Sequence, residues 1–98
     1  MLNFLLDIDV SPEEIYDINH KADKTTIELL ELSRNYVKET IQYFKSLGVT
    51  NVVDLICKRP DLVLMNKLEL QEILIKMDNE LLIDLINYNI DELIEFGV

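Results

Sequence analysis

Apolar residues recur along this chain at helical spacing, in short blocks that open and close on local signals. Ser11-Pro12-Glu13-Glu14 supplies a hydroxyl for the N-cap, a proline at the first helical position and a glutamate at the third. The spacing of Ile15, Ile18 and Ala22 predicts a helix from there to about His20. Thr25-Thr26-Ile27-Glu28 repeats the capping grammar and predicts the longest helix, about 26–47. That helix has two apolar stripes: Ile27, Leu30, Val37, Ile41 and Phe44 form one, and Leu29, Leu32, Tyr36, Tyr43 and Leu47 the other. Two stripes imply a central helix packed by neighbours on both sides.

Gly48 stops it, because glycine accepts the left-handed conformation that lets Val49 fold back on the last turn. Thr50 or Asn51 then caps a short helix carrying Val52, Val53, Leu55 and Ile56, and Pro60 forbids its continuation. Leu62 to Met65 reads as one buried helical turn. Val52-Val53 and this run also fit a strand, but both are short and sit among caps, so helix is preferred. Asn66 with Glu69 opens a helix to about Met77, with Leu70, Ile73, Leu74 and Met77 inward. Asp78 caps the next, about 79–88, with Leu81, Leu82, Leu85 and Ile86. Asp91 caps a last turn through Leu93 and Ile94.

Three stretches share one grammar: a helix end, a residue tolerant of the left-handed conformation (Asp9, Gly48, Asn89), a β-branched residue (Val10, Val49, Ile90), then a cap. Their spacing is about 40 residues, the range of stacked helical repeats. The expected fold is therefore all-α: residues 1–98 as a single small multi-helix domain of two stacked helical-repeat units plus the start of a third. The outermost apolar faces of such a stack are kept soluble by acidic termini or covered by a partner. A longer solenoid cut at Val98 would show the same pattern.

The middle unit also carries a family resemblance. Phe44-Lys45-Ser46-Leu47-Gly48-Val49-Thr50, followed by Val53, Leu55, Ile56, Lys58, Arg59, Pro60, Leu62, Val63 and Leu64, resembles one mitochondrial transcription termination factor repeat, within residues about 40–77. The resemblance implies a helix, a Leu-Gly-Val turn, a short helix, a Pro-Leu-Leu segment and another helix. The first stretch matches at its turn and short helix, with Asp23 where the family has proline. In that family the units form a curved solenoid that binds nucleic acid through a basic concave face, and here the bases are sparse. The resemblance bears on architecture more than on function.

Charge changes the picture next. The net charge is -10. Residues 1–20 hold Asp7, Asp9, Glu13, Glu14 and Asp17 with no Lys or Arg; residues 77–98 hold Asp78, Glu80, Asp84, Asp91, Glu92 and Glu95, again with no Lys or Arg. All the basic residues lie between, where Lys58, Arg59, Lys67 and Lys76 are the candidates for a basic strip. Both ends repel phosphate backbones, so direct nucleic-acid binding is disfavoured. The acids suit a solubilising surface or a patch that meets a basic partner.

No catalytic constellation emerges. The acids fall on polar helix faces or at helix starts, where they favour the dipole. His20 stands alone near a helix C-terminus, and Cys57 follows Leu55-Ile56 on an apolar face as a small hydrophobe. No Glu-x-x-His pair and no glycine-rich phosphate loop occur. Tyr16, Tyr36, Tyr43 and Tyr88 edge an interface or cap the core with wet hydroxyls. The longest uncharged apolar runs are far short of the roughly 20 residues of a membrane span. The N-terminus lacks a signal peptide's basic start, and the single cysteine fits a reducing cytoplasm.

The expected function is a small, acidic, non-catalytic helical interaction module that binds another protein, one with a basic surface, and uses no cofactor or metal. Three other readings stand beside it. One is an acidic nucleic-acid mimic, a small phage or mobile-element inhibitor of a DNA-binding enzyme. In that reading the chain itself, not the enzyme, is the phage or mobile-element product. Another is a weakly nucleic-acid-binding repeat using Lys58, Arg59, Lys67 and Lys76. The last is a homo-oligomer.

Overall fold

Three left-handed turns punctuate the chain, and each is closed in the same way. Asp9, Gly48 and Gly97 have φ of 61°, 112° and 77°. The following valine turns its N–H back to the carbonyl five residues earlier: Val10 to Leu5 at 3.2 Å, Val49 to Phe44 at 3.0 Å and Val98 to Leu93 at 3.3 Å. A second bond joins Asp9, Gly48 and Gly97 to Leu6, Lys45 and Ile94. These paired bonds satisfy the carbonyls a helix end leaves open. The third turn lies at Gly97, not at Asn89. Asn89 has φ −159° and leads directly into the next helix. Both residues tolerate the left-handed region, but glycine enters it without a Cβ clash.

The computed structural model describes all 98 residues as nine helices with no strand. A 3-10 helix (Asn3–Ile8) precedes α1 (Pro12–Lys21), α2 (Lys24–Leu32), α3 (Arg34–Leu47), α4 (Val52–Lys58), α5 (Pro60–Leu64), α6 (Lys67–Lys76) and α7 (Asn79–Tyr88), and a 3-10 helix (Ile90–Phe96) follows. Ser11 accepts the Glu14 N–H, and Glu14 returns a bond to the Ser11 N–H, so the capping box is complete. Asn51, Asn66 and Asp78 cap α4, α6 and α7 with their side chains. Such a cap is worth about 1 kcal/mol.

Two helix starts differ from expectation. Asp23, not Thr25, caps α2. Its carboxylate accepts the Thr26 N–H at 2.7 Å, which a negative charge does better than a hydroxyl at a helix N-terminus. The final helix begins at Ile90 without a side-chain cap, and Asp91 instead meets Lys58. The single long helix expected over 26–47 is divided at Ser33, whose φ of −106° and ψ of 23° leave the helical region. Serine has an intrinsic disposition to compete with helix geometry.

The core contains 24 buried apolar residues drawn from every helix. α3 packs on the N-terminal 3-10 helix, α2 and α5. α1 lies along α4, and α4 lies against the C-terminal 3-10 helix, so the short helices that follow the first two turns form one layer. The stripe Ile27, Leu30, Val37, Ile41 and Phe44 is buried throughout. The second stripe is not covered by neighbours as expected. Leu32 is 84% exposed, Leu29 and Tyr36 are exposed, and Tyr43 and Leu47 are half-buried. α6 is anchored through Leu70, with Met77 buried just beyond its end; its Leu68 and Ile75 face outward. No helix is long and apolar enough to cross a membrane.

Polar side chains lock two of the turns. Lys45 Nζ donates to the carbonyls of Ile8 and Asp9 at 3.0 and 3.1 Å. Asn87 of α7 holds the second: its Oδ1 accepts the N–H groups of Thr50 and Asn51, and its Nδ2 donates to the Gly48 carbonyl.

Candidate interaction surfaces

The acids of the C-terminal segment lie at the surface, and their placement follows from the helices that carry them. Asp78 caps α7 by accepting the Leu81 N–H at 3.3 Å, and Glu80 sits in the first turn, favourable to the helix dipole. Asp84 falls between Leu81 and Tyr88, and spacings of three and seven residues put all three on one side of α7. Asp91 pairs with Lys58 at 3.5 Å, tying the C-terminal 3-10 helix to α4. Glu92 and Glu95 are exposed on that 3-10 helix. Five of the six acids therefore form no ion pair.

The same two elements carry exposed apolar side chains. Tyr88 is 85% exposed and Ile94 75%, with Leu81 and Phe96 also exposed. α7 and the 3-10 helix are in contact, and the buried Ile90 and Leu93 turn the latter's inner row to the core.

The basic candidates are dispersed. Arg59 donates two bonds to Asp61, at 3.1 and 3.0 Å, and Lys58 faces Asp91. Lys67 opens α6 and Lys76 closes it, about 13 Å apart along the axis. The Arg59 hydrogen bond holds the Asp61 carboxyl below the usual carboxylate range. A depressed folded-state pKa contributes stability above the unfolded value, about 3.9, and that contribution is lost as pH falls through the folded value. Asp61→Asn is therefore expected to lower stability at pH 7 by under about 1 kcal/mol. The difference from wild type should vanish near pH 2, read by urea titration at both pH values.

A groove of about 380 Å³ runs between α3 and α6. Tyr36 and Tyr43 flank it from α3, with the Thr40 side chain, 6% exposed, between them. Lys67 and Leu70 form the α6 side. Sequence reading assigned Tyr36 and Tyr43 to a stripe but not to a groove, since the opening depends on how α6 lies. No protein-family model matches the chain. No curated protein or solved structure matches it either.

Other chemistry-bearing groups take local roles. The His20 imidazole stacks on the Tyr16 ring at 3.9 Å, and its Nδ1–H donates to the Tyr16 carbonyl at 2.8 Å. Cys57 is half-buried, and burial pushes its thiol pKa up, away from the reactive thiolate. The Thr26 N–H lowers the Asp23 pKa, as expected of a carboxylate acting as a cap. No three His, Cys, Asp or Glu side chains converge as a ligand set.

Proposed function

We propose that this chain is a non-catalytic helical module that binds another protein. The observation that carries the proposal is the set of large apolar side chains left outside the core. Leu32, Tyr36, Tyr88 and Ile94 stand in solvent while the 24 core residues are sealed. Large apolar and aromatic side chains left this exposed contribute little to the fold and are available for association. The first two turns, each leading into a capped short helix, support reading the chain as stacked helical units, as in the termination-factor-like repeat that the middle stretch resembles. Stacks of this kind present extended faces to partners. A cytoplasmic setting is part of the same proposal and rests on a lone thiol.

A second reading is favoured by one observation, the five C-terminal carboxylates without an ion-pair partner. Spaced carboxylates could imitate phosphates and occupy the basic cleft of a DNA-binding protein. In that case the carboxylates, not the apolar side chains, carry affinity.

Site-specific photo-crosslinking tests the proposal. A benzophenone amino acid is placed at Tyr36, at Tyr88 and, as a control, at the exposed Lys24, in cells of the source organism. The proposal expects a discrete heteromeric adduct from position 36 or 88 and none from position 24. Adducts of the chain with itself alone would make it a homo-oligomer, and no adduct above the control would remove the proposal.

A further inference from the structure

We infer that α6 is a hinged strap that opens as a unit while the rest of the fold stays closed, and that its opening uncovers the groove beside α3. The device goes beyond the binding reading and holds whether or not the chain has a partner.

The sequence gives α6 little to hold it. Successive residues of an α-helix turn by about 100°. Leu68 and Ile75, seven apart, therefore share one side of α6, and Leu70, Ile73 and Leu74 share the opposite side. The first pair faces solvent, 73% and 85% exposed. On the inner side only Leu70 is buried, and Ile73 and Leu74 are half-buried against the core. No hydrogen bond or ion pair joins α6 to another helix. Its side-chain bonds stay at its own cap, between Asn66 and Glu69.

The helices on either side are held differently. α7 buries Leu82, Leu85 and Ile86, and its Asn87 is bonded to residues 48–51. α5 buries Leu62 and Val63 and packs on α3 and α4. The strap thus runs between two fixed points. Its ends are extended backbone: Met65 has φ −67° and ψ 149°, and Met77 φ −145° and ψ 143°. Ala22, Ser33, Arg59 and Asn89 return their N–H groups to the helix they end, and neither methionine does. Both ends of the strap can turn without breaking a bond of that kind.

Opening has a defined consequence. Lys67 and Leu70 form one wall of the groove, and Tyr36, Thr40 and Tyr43 of α3 form the other. With α6 displaced, the α3 wall faces solvent, including Thr40, now 6% exposed. Elements with few buried apolar side chains open at lower free energy than the global transition.

Native-state hydrogen exchange of the full chain, labelled with 15N, tests the strap in urea well below the unfolding midpoint. The slowest amides of α6 should exchange about tenfold or more faster than the slowest of α3 and α7. Their rates should hardly rise with urea, because local opening exposes little surface, while those of α3 and α7 rise steeply. Ile18→Val, a change in α1, should speed the slowest α3 and α7 amides by about fivefold. It should leave the α6 amides nearly unchanged, since Ile18 stays packed when the strap opens. A second readout uses a thiol reagent. In a Cys57→Ser background, Leu70→Cys should be labelled about tenfold or more faster than Leu82→Cys, although both leucines are 1% exposed.

α6 amides that follow those of α3 in urea and in Ile18→Val would overturn the inference, as would equal labelling at positions 70 and 82. α6 amides with no protection at all would overturn it too, because the closed strap would not exist.

Discussion

Phe44→Ala is expected to destabilise the fold by about 3–5 kcal/mol, the range for truncating a fully buried aromatic side chain. Phe44 is 1% exposed, sits in the last turns of α3, and offers its carbonyl to Val49 where the chain reverses. Removing the ring leaves a cavity beside the helix that packs on α2, α5 and the N-terminal 3-10 helix. A domain of this size has about 5–15 kcal/mol of stability in all, so the variant should unfold at a far lower urea concentration. Tyr36→Ala on the same helix should stay within about 1 kcal/mol of wild type, since Tyr36 is exposed beside the groove. Similar losses for the two variants would mean that both stripes are covered.

Asn87→Ala carries the second largest expected effect, a loss of about 2 kcal/mol. Three hydrogen bonds go with the side chain: from Thr50 N–H at 2.8 Å, from Asn51 N–H at 3.2 Å and to Gly48 O at 3.1 Å. Each is worth about 1 kcal/mol net, and water recovers part of the loss because Thr50 and Gly48 are exposed. Asn51 reaches in the opposite direction, its Nδ2 donating to the Ile86 and Asn87 carbonyls at 3.4 Å. The two amides form one latch, so a double-mutant cycle of Asn87→Ala with Asn51→Ala should give a coupling energy of about 1 kcal/mol. Additivity within about 0.5 kcal/mol, the behaviour of independent sites, would show that the turn stands without the latch.

The helices were legible wherever the deciding interaction is local. Ser11, Asn66 and Asp78 each accept an N–H three residues on, so the residue type alone places the helix start. α7 occupies the 79–88 read from its cap and its apolar spacing. The break at Ser33 was not legible, because serine is only mildly unfavourable inside a helix and its residue type alone does not mark an interruption. Periodicity grouped Leu29, Leu32, Tyr36, Tyr43 and Leu47 on one face, yet it cannot tell whether a neighbour covers that face. Here the chain leaves it open.

The third turn was misplaced for a related reason. Asn89 and Gly97 both accept the left-handed region, and only Asn89 is followed by both a β-branched residue and a cap, Ile90 and Asp91. A closer signal was present in Phe44-Lys45-Ser46-Leu47-Gly48-Val49 and Leu93-Ile94-Glu95-Phe96-Gly97-Val98. In both, a large apolar residue stands five positions before a valine that follows glycine. Leu5 and Val10 keep that spacing around Asp9. The acids of residues 78–95 were legible from charge alone. The latch from Asn87 to residues 48–51 and the clamp from Lys45 to Ile8 and Asp9 span distant parts of the chain, and they come into view only when the helices are packed.

The central claim is that the core and the outward apolar residues are separate sets, and that the core alone holds the fold. Urea unfolding of the triple variant Leu32→Gln, Tyr88→Gln, Ile94→Gln tests it most directly. Glutamine keeps a good helix propensity while removing the apolar surface. The account predicts an unfolding free energy within about 1 kcal/mol of wild type, since each site is a solvent-exposed substitution. A loss of about 4 kcal/mol or more, the size expected for buried side chains, would contradict it.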